Sequence, residues 1–229
     1  MQALEEVRDL RDGPPKGQLR ITAPQSFGRR VIAPILQDFR SDYPLISIEL
    51  TLDDRPIDLA VDGVDVLFRD GRLEDSQIVA KQIIPLQRMI CASAGFATAN
   101  GLPSEIEQLG SYPSISRRST GGRIQAWDLR VGGKPVSIVP KAGIVYNDDE
   151  LVLQAVLDGY GLAQLPAFQA CDLIAEGRLV ACLAQYAPDD GGHYVCYLSR
   201  RQLPKRVRVF IDYITARVRS LDLACGMAL

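Results

Sequence analysis

The chain has 229 residues, 47% of them hydrophobic and 24% charged, which is the composition of a folded protein with a substantial core. Its formal net charge is −2, so it lacks the basic excess of a stand-alone nucleic-acid-binding protein, and the sequence argues against that class. No apolar run approaches the roughly 20 residues that span a bilayer, and the charged N-terminus has no signal-peptide core. The sequence therefore predicts a cytoplasmic protein that does not enter the membrane.

The N-terminal residues predict a short helix. Gln2–Arg11 has leucine and valine at helical spacing, and Gly13, Pro14 and Pro15 end it. We interpret this segment as the remnant of a longer linker helix.

The next part of the chain alternates strands with helices. Its strands have apolar residues at alternate positions or in short runs, and its helices have them three and four residues apart. This order predicts a parallel sheet with right-handed crossovers and helices on its faces. In chain order the segments are Gln18–Ala23 (strand), Arg29–Tyr43 (helix), Ile46–Thr51 (strand), Ile57–Asp62 (helix) and Val64–Phe68 (strand).

A second alternating block follows, and one strand and one helix remain at the end of the chain. We expect this last pair to return and complete the first of two lobes. Pro85 separates the first two strands of the block, and Gly132 and Gly133 form the turn of a hairpin. The predicted strands are Ile78–Ile84, Arg88–Ser93, Pro113–Ser116, Trp127–Val131, Val136–Ile138, Lys141–Tyr146, Gly161–Leu165 and Tyr194–Ser199, and the predicted helices are Ser104–Leu109, Asp149–Leu157, Phe168–Glu176 and Lys205–Val218.

The cysteines and the basic run at residues 200–208 are interpreted as parts of the fold and not as functional sites. The five cysteines form no CxxC pair, which predicts neither a disulfide framework nor a zinc site. The basic residues between 200 and 208 are interpreted as a solvated rim and helix face, with contact to a polyanion as the alternative. The cysteines interpreted as buried reduced thiols are Cys91, Cys171, Cys182, Cys196 and Cys225.

Polar groups follow five of the predicted strands. In open α/β sheets, ligands bind at the carboxyl ends of strands, where helix N-termini present free N–H groups. Ser26 can cap its helix or offer its hydroxyl to an anion, and Arg69 can pair with Asp70 or bind an anion. Together the strand ends predict a cleft that holds a small polar molecule. The other strand ends carry the Ser116–Gly122 loop, Asn147 with Asp148 and Asp149 as helix caps, and Gln164 with Pro166.

Catalysis finds little support in the sequence. His193 is the single histidine, and its two glycine neighbours predict an exposed loop residue, not a general base. The chain contains no GxSxG, GxxxxGK[ST] or GxGxxG sequence. We therefore predict a protein that is not an enzyme, with no metal and no cofactor.

The sequence resembles the effector domain of LysR-type transcription regulators in several blocks. GQLRITAPQSFGRRVIAPILQDFRSDYPLISIEL is similar to the opening of that domain, and DLAVDGVDVLFRDGRLEDSQIVAKQI is similar to its third-strand block. NDDELVLQAVLDGYGLAQLPAF, LIAEGRLVACL and SRRQLPKRVRVFIDYI are similar to its later blocks. The resemblance covers about residues 17–218.

The resemblance implies a type 2 periplasmic-binding-protein-like fold. In that α/β fold two Rossmann-like lobes are joined by two crossover strands, expected near Pro85–Cys91 and Tyr194–Leu198, and a ligand cleft lies between them. The expected divisions are 1–16 as linker remnant, 17–86 with 195–220 as lobe I, 87–194 as lobe II, and 221–229 as tail.

The resemblance also implies an effector site and partners. The effector is expected to be a small molecule that carries a carboxylate or another negative group. Family members form dimers or tetramers, for which the helices Arg29–Tyr43 and Asp149–Leu157 are candidate interfaces. Operator DNA is expected to bind only through an N-terminal winged helix-turn-helix that this chain lacks. The family's effector site maps onto Ser26, Phe27, Arg69, Arg118, Ser119, Thr120, Asn147, Gln164 and Pro166.

Two other functions remain as alternatives. A transporter's solute-binding protein has the same fold, but the absent signal peptide and the unpaired cysteines argue against it. A small α/β enzyme would need a catalytic set that does not use His193.

Overall fold

The computed structural model describes residues 13–70, 78–188, 191–199, 203–221 and 223. The predicted helix Gln2–Arg11 and residue Cys225 lie outside this part of the chain. The contacts divide the chain into two units. Unit 1 comprises Met1–Pro85 and Gly192–Asp222, and unit 2 comprises Leu86–Gly191 and Leu223–Leu229.

The helices and strands follow the predicted alternation along most of the chain. Short 3-10 helices occur at Ile106–Ser111 and Ala184–Tyr186. In chain order the elements are β1 (Gly17–Ala23), α1 (Gln25–Phe27, continuing through Gly28–Ile32 and Ala33–Asp42), β2 (Ile46–Leu52), β3 (Val66–Asp70), β4 (Ile78–Leu86), β5 (Arg88–Ser93), α2 (Ala94–Asn100), β6 (Ser114–Arg117), β7 (Trp127–Val131), β8 (Lys134–Ile138), β9 (Ala142–Tyr146), α3 (Asp149–Leu157), β10 (Ala163–Pro166), α4 (Ala167–Ala175), β11 (Leu179–Cys182), β12 (Gly191–Leu198) and α5 (Lys205–Ser220).

Unit 1 is built on a five-stranded sheet of order β2-β1-β3-β12-β4. The predicted parallel arrangement is confirmed for its first three strands, because β1 pairs in parallel with both β2 and β3. The late strand β12 pairs antiparallel with β3, so it completes this sheet as expected. Phe39 of α1 and Phe210 of α5 are fully buried, and their rings meet edge to face at 5.2 Å.

The predicted break at Pro85 is wrong. Strand β4 continues through Pro85 to Leu86, and Gln87 separates it from β5. Proline lacks the N–H that a central strand needs, but β4 is an edge strand, where that donor is not required.

Two helix predictions in unit 1 need correction. Helix α1 begins at Gln25, four residues before the predicted start, and it contains a π-helical turn at Gly28–Ile32. The predicted helix Ile57–Asp62 is a hydrogen-bonded turn instead. The Asp58 carboxylate accepts hydrogen bonds from the backbone N–H groups of residues 60 and 61. This segment therefore forms a side-chain-capped turn that does not continue as a helix.

Unit 2 contains smaller sheets. Strand β5 pairs antiparallel with β10 and β11, β6 pairs in parallel with β9, and β7 with β8 forms the predicted hairpin. An isolated bridge between Ser114 and Leu162 links the β6 region to the residue just before β10. Gly161 makes this close approach feasible, because a Cβ there would lie 2.2 Å from the Pro113 carbonyl oxygen.

The sequence did not predict α2 or β11. Each is short, and each packs against β5 at the centre of its sheet. The other elements of unit 2 lie within a few residues of their predicted bounds, although the predicted helix Ser104–Leu109 is a 3-10 helix at Ile106–Ser111.

The cysteines divide into two groups. Cys91, Cys182 and Cys196 are buried free thiols, which confirms the prediction for these three. Cys171 is disulfide-bonded, so the prediction of a reduced thiol is wrong at that position.

Two further findings concern charge and hydropathy. Arg206, predicted to lie on a solvated face, is buried, and its Nε donates to the Gln18 carbonyl oxygen at 2.8 Å. Within the described ranges, no helix combines the length and apolarity that crossing a membrane requires.

Candidate functional site

In unit 1 the predicted site residues lie at the carboxyl ends of β1 and β3. These strands pair side by side, and Ser26 and Phe27 follow β1 at the start of α1. Both side chains are buried, whereas Arg69, near the end of β3, is half-buried. The positive charge of Arg69 also acts on Cys196 of β12, where it lowers the thiol pKa against the larger raising effect of burial. The structure therefore places two buried side chains, Ser26 and Phe27, and the half-buried Arg69 at the same end of this sheet.

The N-terminus of α1 carries a partial positive charge, and its first turn contains no acidic residue. The Asp54 carboxylate, from a neighbouring segment, offsets part of this charge. Pro24 precedes the helix and provides no side-chain cap. The N–H of Gln25 donates to Asp54 Oδ1 at 3.0 Å, so one donor of the first turn is already used. Close packing fixes this turn, because a Cβ at Gly28 would lie 3.0 Å from the Ala23 Cβ.

His193 joins the unit 1 residues, contrary to the prediction that it lies in an exposed loop. It is 3% exposed, and β12 begins before it, at Gly191. Its ring stacks on Phe27 with centroids 4.3 Å apart and planes at 8°. Its Nδ1 lies 2.6 Å from Oδ1 of Asp70, the residue opposite it in the sheet. The single histidine thus supports both a predicted site residue and the neighbour of Arg69.

In unit 2 the Ser116–Gly122 loop folds tightly on itself. Arg118 donates from its backbone to the Tyr146 carbonyl oxygen at 2.6 Å and from its guanidinium to the Gly122 carbonyl oxygen at 2.7 Å. The hydroxyl and the N–H of Ser119 both donate to the Arg123 carbonyl oxygen. Thr120 is exposed at the tip. This loop is therefore an ordered turn beside the end of β9.

Arg117 belongs to the predicted polar loop but not to the residues onto which the family's effector site was mapped. Its Nε lies 2.9 Å from Asp149 Oδ1 in the first turn of α3, and both side chains are mostly buried. The pair ties the end of β6 to the start of α3. Asp148 caps this helix, as predicted, by accepting from the N–H groups of Glu150 and Leu151 at 2.8 and 3.1 Å. Asn147, next to the cap, is exposed.

Gln164 holds the hairpin in place. Its Oε1 accepts from the Asp128 N–H at 3.1 Å, and its Nε2 donates to the Asp128 carbonyl oxygen at 2.7 Å. Pro166 occupies the N-cap position of α4 without a side-chain hydrogen bond. Among the predicted unit 2 residues, the structure groups Arg118, Ser119 and Asn147 around β9 and joins Gln164 to β7.

The described residues contain no group of three or more His, Cys, Asp and Glu side chains placed to hold a metal ion. His193 was the informative residue that sequence reasoning missed. GGHYVCYL places His193 in alternation with Val195, a signal that would have moved the strand start to the glycines.

Comparison with known proteins gives the family. The profile of the LysR substrate binding domain matches residues 12–219. The chain belongs to this family.

Relatives of the LysR domain are regulators of transcription. HTH-type transcriptional regulator PtxR of Pseudomonas aeruginosa is 33% identical over 214 residues, which are 92% of this chain and 67% of that protein. HTH-type transcriptional regulator DmlR of Escherichia coli is 30% identical over 213 residues, which are 93% of this chain and 69% of that protein. These names do not favour the solute-binding protein of a transporter.

Solved LysR-type structures have the same fold. The regulatory domain of AphB from Vibrio vulnificus matches with a TM-score of 0.73 and 28% identity, over 88% of this chain and 98% of that chain. CrgA from Neisseria meningitidis matches in fold with a TM-score of 0.80 and 24% identity, over 95% of this chain and 74% of that chain. The type 2 periplasmic-binding-protein-like fold is confirmed, and the chain is an effector-binding domain of the LysR type.

Proposed function

We propose that this domain binds a small effector that carries a carboxylate or another negative group, and that polar groups at the strand ends of each unit take part in binding. The observation that carries this proposal is the start of α1, where a helix N-terminus without acidic residues in its first turn lies beside Ser26 and follows the strand next to Arg69. A helix N-terminus and a guanidinium both favour an anion.

The remaining residues of the proposed site are those that the sequence indicated. Phe27 would border the unit 1 part of the site. Arg118, with its guanidinium already directed to Gly122, would contribute positive charge near the ligand. The unit 2 part would consist of Arg118, Ser119, Thr120, Asn147, Gln164 and Pro166.

Effector binding would act by population shift. A ligand that has a higher affinity for one conformation of the domain increases the population of that conformation. We propose lobe I at 17–86 with 195–220, lobe II at 87–194, and a tail at 221–229. The signal would reach operator DNA through a helix-turn-helix, as the HTH-type names of the relatives support.

The protein would work as a homodimer, or as a tetramer in full-length form, in the cytoplasm. It would bind its effector without chemical turnover, since the relatives are named as regulators. Helices α1 and α3 are the proposed sites of self-association.

A thermal-shift screen of this chain against small metabolites tests the proposal. A ligand present at 100 times its dissociation constant stabilises a protein by about 2.7 kcal/mol, which such a screen detects. We expect anionic compounds among the hits, and we expect Ser26→Ala and Arg69→Ala to lose the shift.

Arg178→Ala is the matched control, because it removes an exposed arginine that lies after α4, outside the proposed effector site and the proposed self-association helices, and it should keep the shift. A hit that survives both Ser26→Ala and Arg69→Ala would show that the ligand binds elsewhere. A neutral or cationic compound as the tightest ligand would contradict the proposed charge of the effector.

A further inference from the structure

Unit 2 contains a cavity of about 250 Å³ beside the β7–β8 hairpin. The junction of β4 and β5 forms another part of its wall, with Leu86 and Arg88. All of the residues that line the cavity belong to unit 2, and none of them is a residue of the proposed effector site. The lining residues of the hairpin are Asp128, Leu129, Arg130, Pro135, Val136 and Ser137.

The apolar part of the lining is branched and aliphatic. Leu86 and Leu129 are buried, whereas Val136 is exposed to solvent. A ligand with an apolar body would remove Val136 from water, which is favourable. Because pockets for drug-sized ligands measure roughly 300–1,000 Å³, this cavity suits a smaller molecule.

The polar part of the lining favours an anion. Among the described lining residues, two arginines, Arg88 and Arg130, outnumber one acidic residue, Asp128. The Asp128 carboxylate accepts a hydrogen bond from the Ser137 hydroxyl at 2.8 Å, so it already has a protein donor. Residues 189 and 190 lie outside the described part of the chain and are not counted.

Both arginines can bind a ligand while they keep their protein contacts. Each has partners within the protein, and Nη1 of Arg130 lies 3.5 Å from the Gly133 carbonyl oxygen. A guanidinium carries five N–H donors in a planar fork, and a carboxylate takes two of them, so a protein contact and a bound carboxylate can coexist. Arg88 and Arg130 are half-buried, where water and salt screen a charge pair less than at a fully exposed position.

We propose that this cavity is a second ligand site, which binds a small monocarboxylate with a branched aliphatic body. The carboxylate would contact Arg88 and Arg130, and the aliphatic body would contact Leu86, Leu129 and Val136. The excess of one positive charge favours a monoanion, and the volume limits the size of the body. Binding in the cavity does not depend on the proposed effector function.

The cavity is connected to two residues of the proposed effector site. Gln164 holds the backbone of Asp128 through two hydrogen bonds, at 3.1 and 2.7 Å. Pro166 pairs with Arg88 across β10 and β5. A ligand that contacts Arg88 and the hairpin therefore contacts the segments that position Gln164 and Pro166. The regulatory meaning of this connection, in which the monocarboxylate alters effector binding, rests on the proposed function.

Methyl NMR spectroscopy tests the site on the full chain, labelled with carbon-13 at the methyl groups of leucine and valine. The probes are isovalerate and its neutral isostere isovaleramide, each titrated to millimolar concentration. We expect isovalerate to shift the methyl signals of Leu86, Leu129 and Val136. The Kd of the amide should be roughly tenfold higher, because it lacks the charge that strengthens hydrogen bonds to a guanidinium. Equal Kd values for both probes, or no shift of these signals, would overturn the proposal.

Variants test the residues assigned to the carboxylate. Arg88→Gln and Arg130→Gln should each raise the Kd of isovalerate by roughly tenfold. Lys134→Gln is the matched control, because it removes a positive charge from the same hairpin at an exposed position that does not line the cavity, and it should keep the Kd. Val136→Phe should abolish binding without a change of charge, because its ring would fill the cavity. Tm values identify variants that remain folded, and a folded Arg130→Gln with an unchanged Kd refutes the assignment.

The same spectra separate this site from the proposed effector site. Shifts that occur at Val66 and Leu67 of β3 instead, and that disappear in Arg69→Ala, would overturn the second site and leave the proposed function standing. Shifts at the hairpin that persist in Arg69→Ala support it. The side-chain amide signals of Gln164 should move together with the methyl signals of the hairpin. Amide signals that stay fixed at saturating isovalerate would refute the connection to the effector site.

Discussion

At the scale of single residues, His193 connects two parts of unit 1, the start of α1 and the end of β3. Its ring covers one face of Phe27, and its Nδ1 contacts Asp70 at the end of β3. Both neighbours are adjacent in sequence to proposed effector residues, Ser26 and Arg69. In the proposed site, His193 would therefore act as a positioning residue for Phe27 and for the end of β3.

A double-mutant cycle measures this contact. His193→Phe keeps a ring against Phe27 but removes the nitrogen that faces Asp70, and Asp70→Asn removes the charge. We expect each single variant to lower the free energy of unfolding by roughly 1–3 kcal/mol, because each leaves the other group with an altered partner. Urea unfolding of the four proteins should show a coupling of about 0.5–3 kcal/mol. Strict additivity would mean that the contact adds no stability.

The sequence predicted some roles of single residues and not others. Asp148 was predicted as a cap because acidic residues favour that position, and local hydrogen bonds confirm it. His193 could not be placed, because its burial depends on Phe27 and Asp70, which lie more than a hundred residues away in the chain. The two hydrogen bonds of Gln164 to Asp128 have the same non-local origin.

At the scale of secondary-structure elements, the N-cap of α3 contributes to the free energy of unfolding. Asp148→Ala removes two hydrogen bonds to the first turn and a favourable charge near the positive end of the helix. We expect a loss of about 1 kcal/mol in the free energy of unfolding, measured by urea titration.

Asp158→Ala is the matched control, because it removes the same side chain at the C-cap of the same helix. Within the described part of the chain, that carboxylate accepts an exposed hydrogen bond from Gln154. A negative charge at a helix C-terminus is unfavourable. Its effect should stay within about 0.5 kcal/mol. Equal losses in both variants would assign the effect to net charge and not to capping.

The sequence predicts elements best where their pattern is local. Helix α3 has its predicted bounds because a cap, an apolar face and Gly159 mark them within the segment itself. Helix α2 and strand β11 were missed because they are short, and contacts with β5 stabilise them. Whether Pro85 interrupts a strand depends on the position of that strand in the sheet, which the local sequence does not contain.

At the scale of the whole molecule, the buried thiols make the free energy of unfolding depend on pH in the alkaline range. Burial raises the pKa of Cys91 to about 12 from an ordinary value of 9.0, with a smaller contribution from Cys182. Between pH 9 and 12 the unfolded chain has therefore lost a thiol proton that the folded chain retains. The stabilisation is complete below about pH 9 and decreases as the pH rises toward 12.

Comparison with Cys91→Ala measures this dependence. Between pH 9 and 11, urea unfolding with a reductant present should show a steeper decrease for the unaltered chain, by about 1.4 kcal/mol per pH unit. The control is the same comparison between pH 7 and 8, where the two slopes should agree. Identical slopes above pH 9 would mean that Cys91 ionises in the folded state as readily as in the unfolded chain.

The order of elements predicted two α/β units and the return of the last strand and helix to the first unit, because β-α-β alternation allows few topologies. The type 2 periplasmic-binding-protein-like fold was implied by the resemblance to the LysR family. Strand β12 indeed pairs with β3 in the sheet of unit 1. The order of elements predicts less about the effector site. The order of elements indicates which strand ends carry polar groups, but the chemistry of the ligand depends on the arrangement of side chains from distant segments.

The position of Pro85 also affects how the protein behaves at high concentration. A sheet edge with free N–H and C=O groups is a template for strands of other chains and a starting point for aggregation. Pro85 removes one donor from β4, and it is exposed there. The opposite edge, β2, contains no proline between Ile46 and Leu52. If partly unfolded copies of this chain aggregate edge to edge through the unit 1 sheet, we expect them to do so through β2.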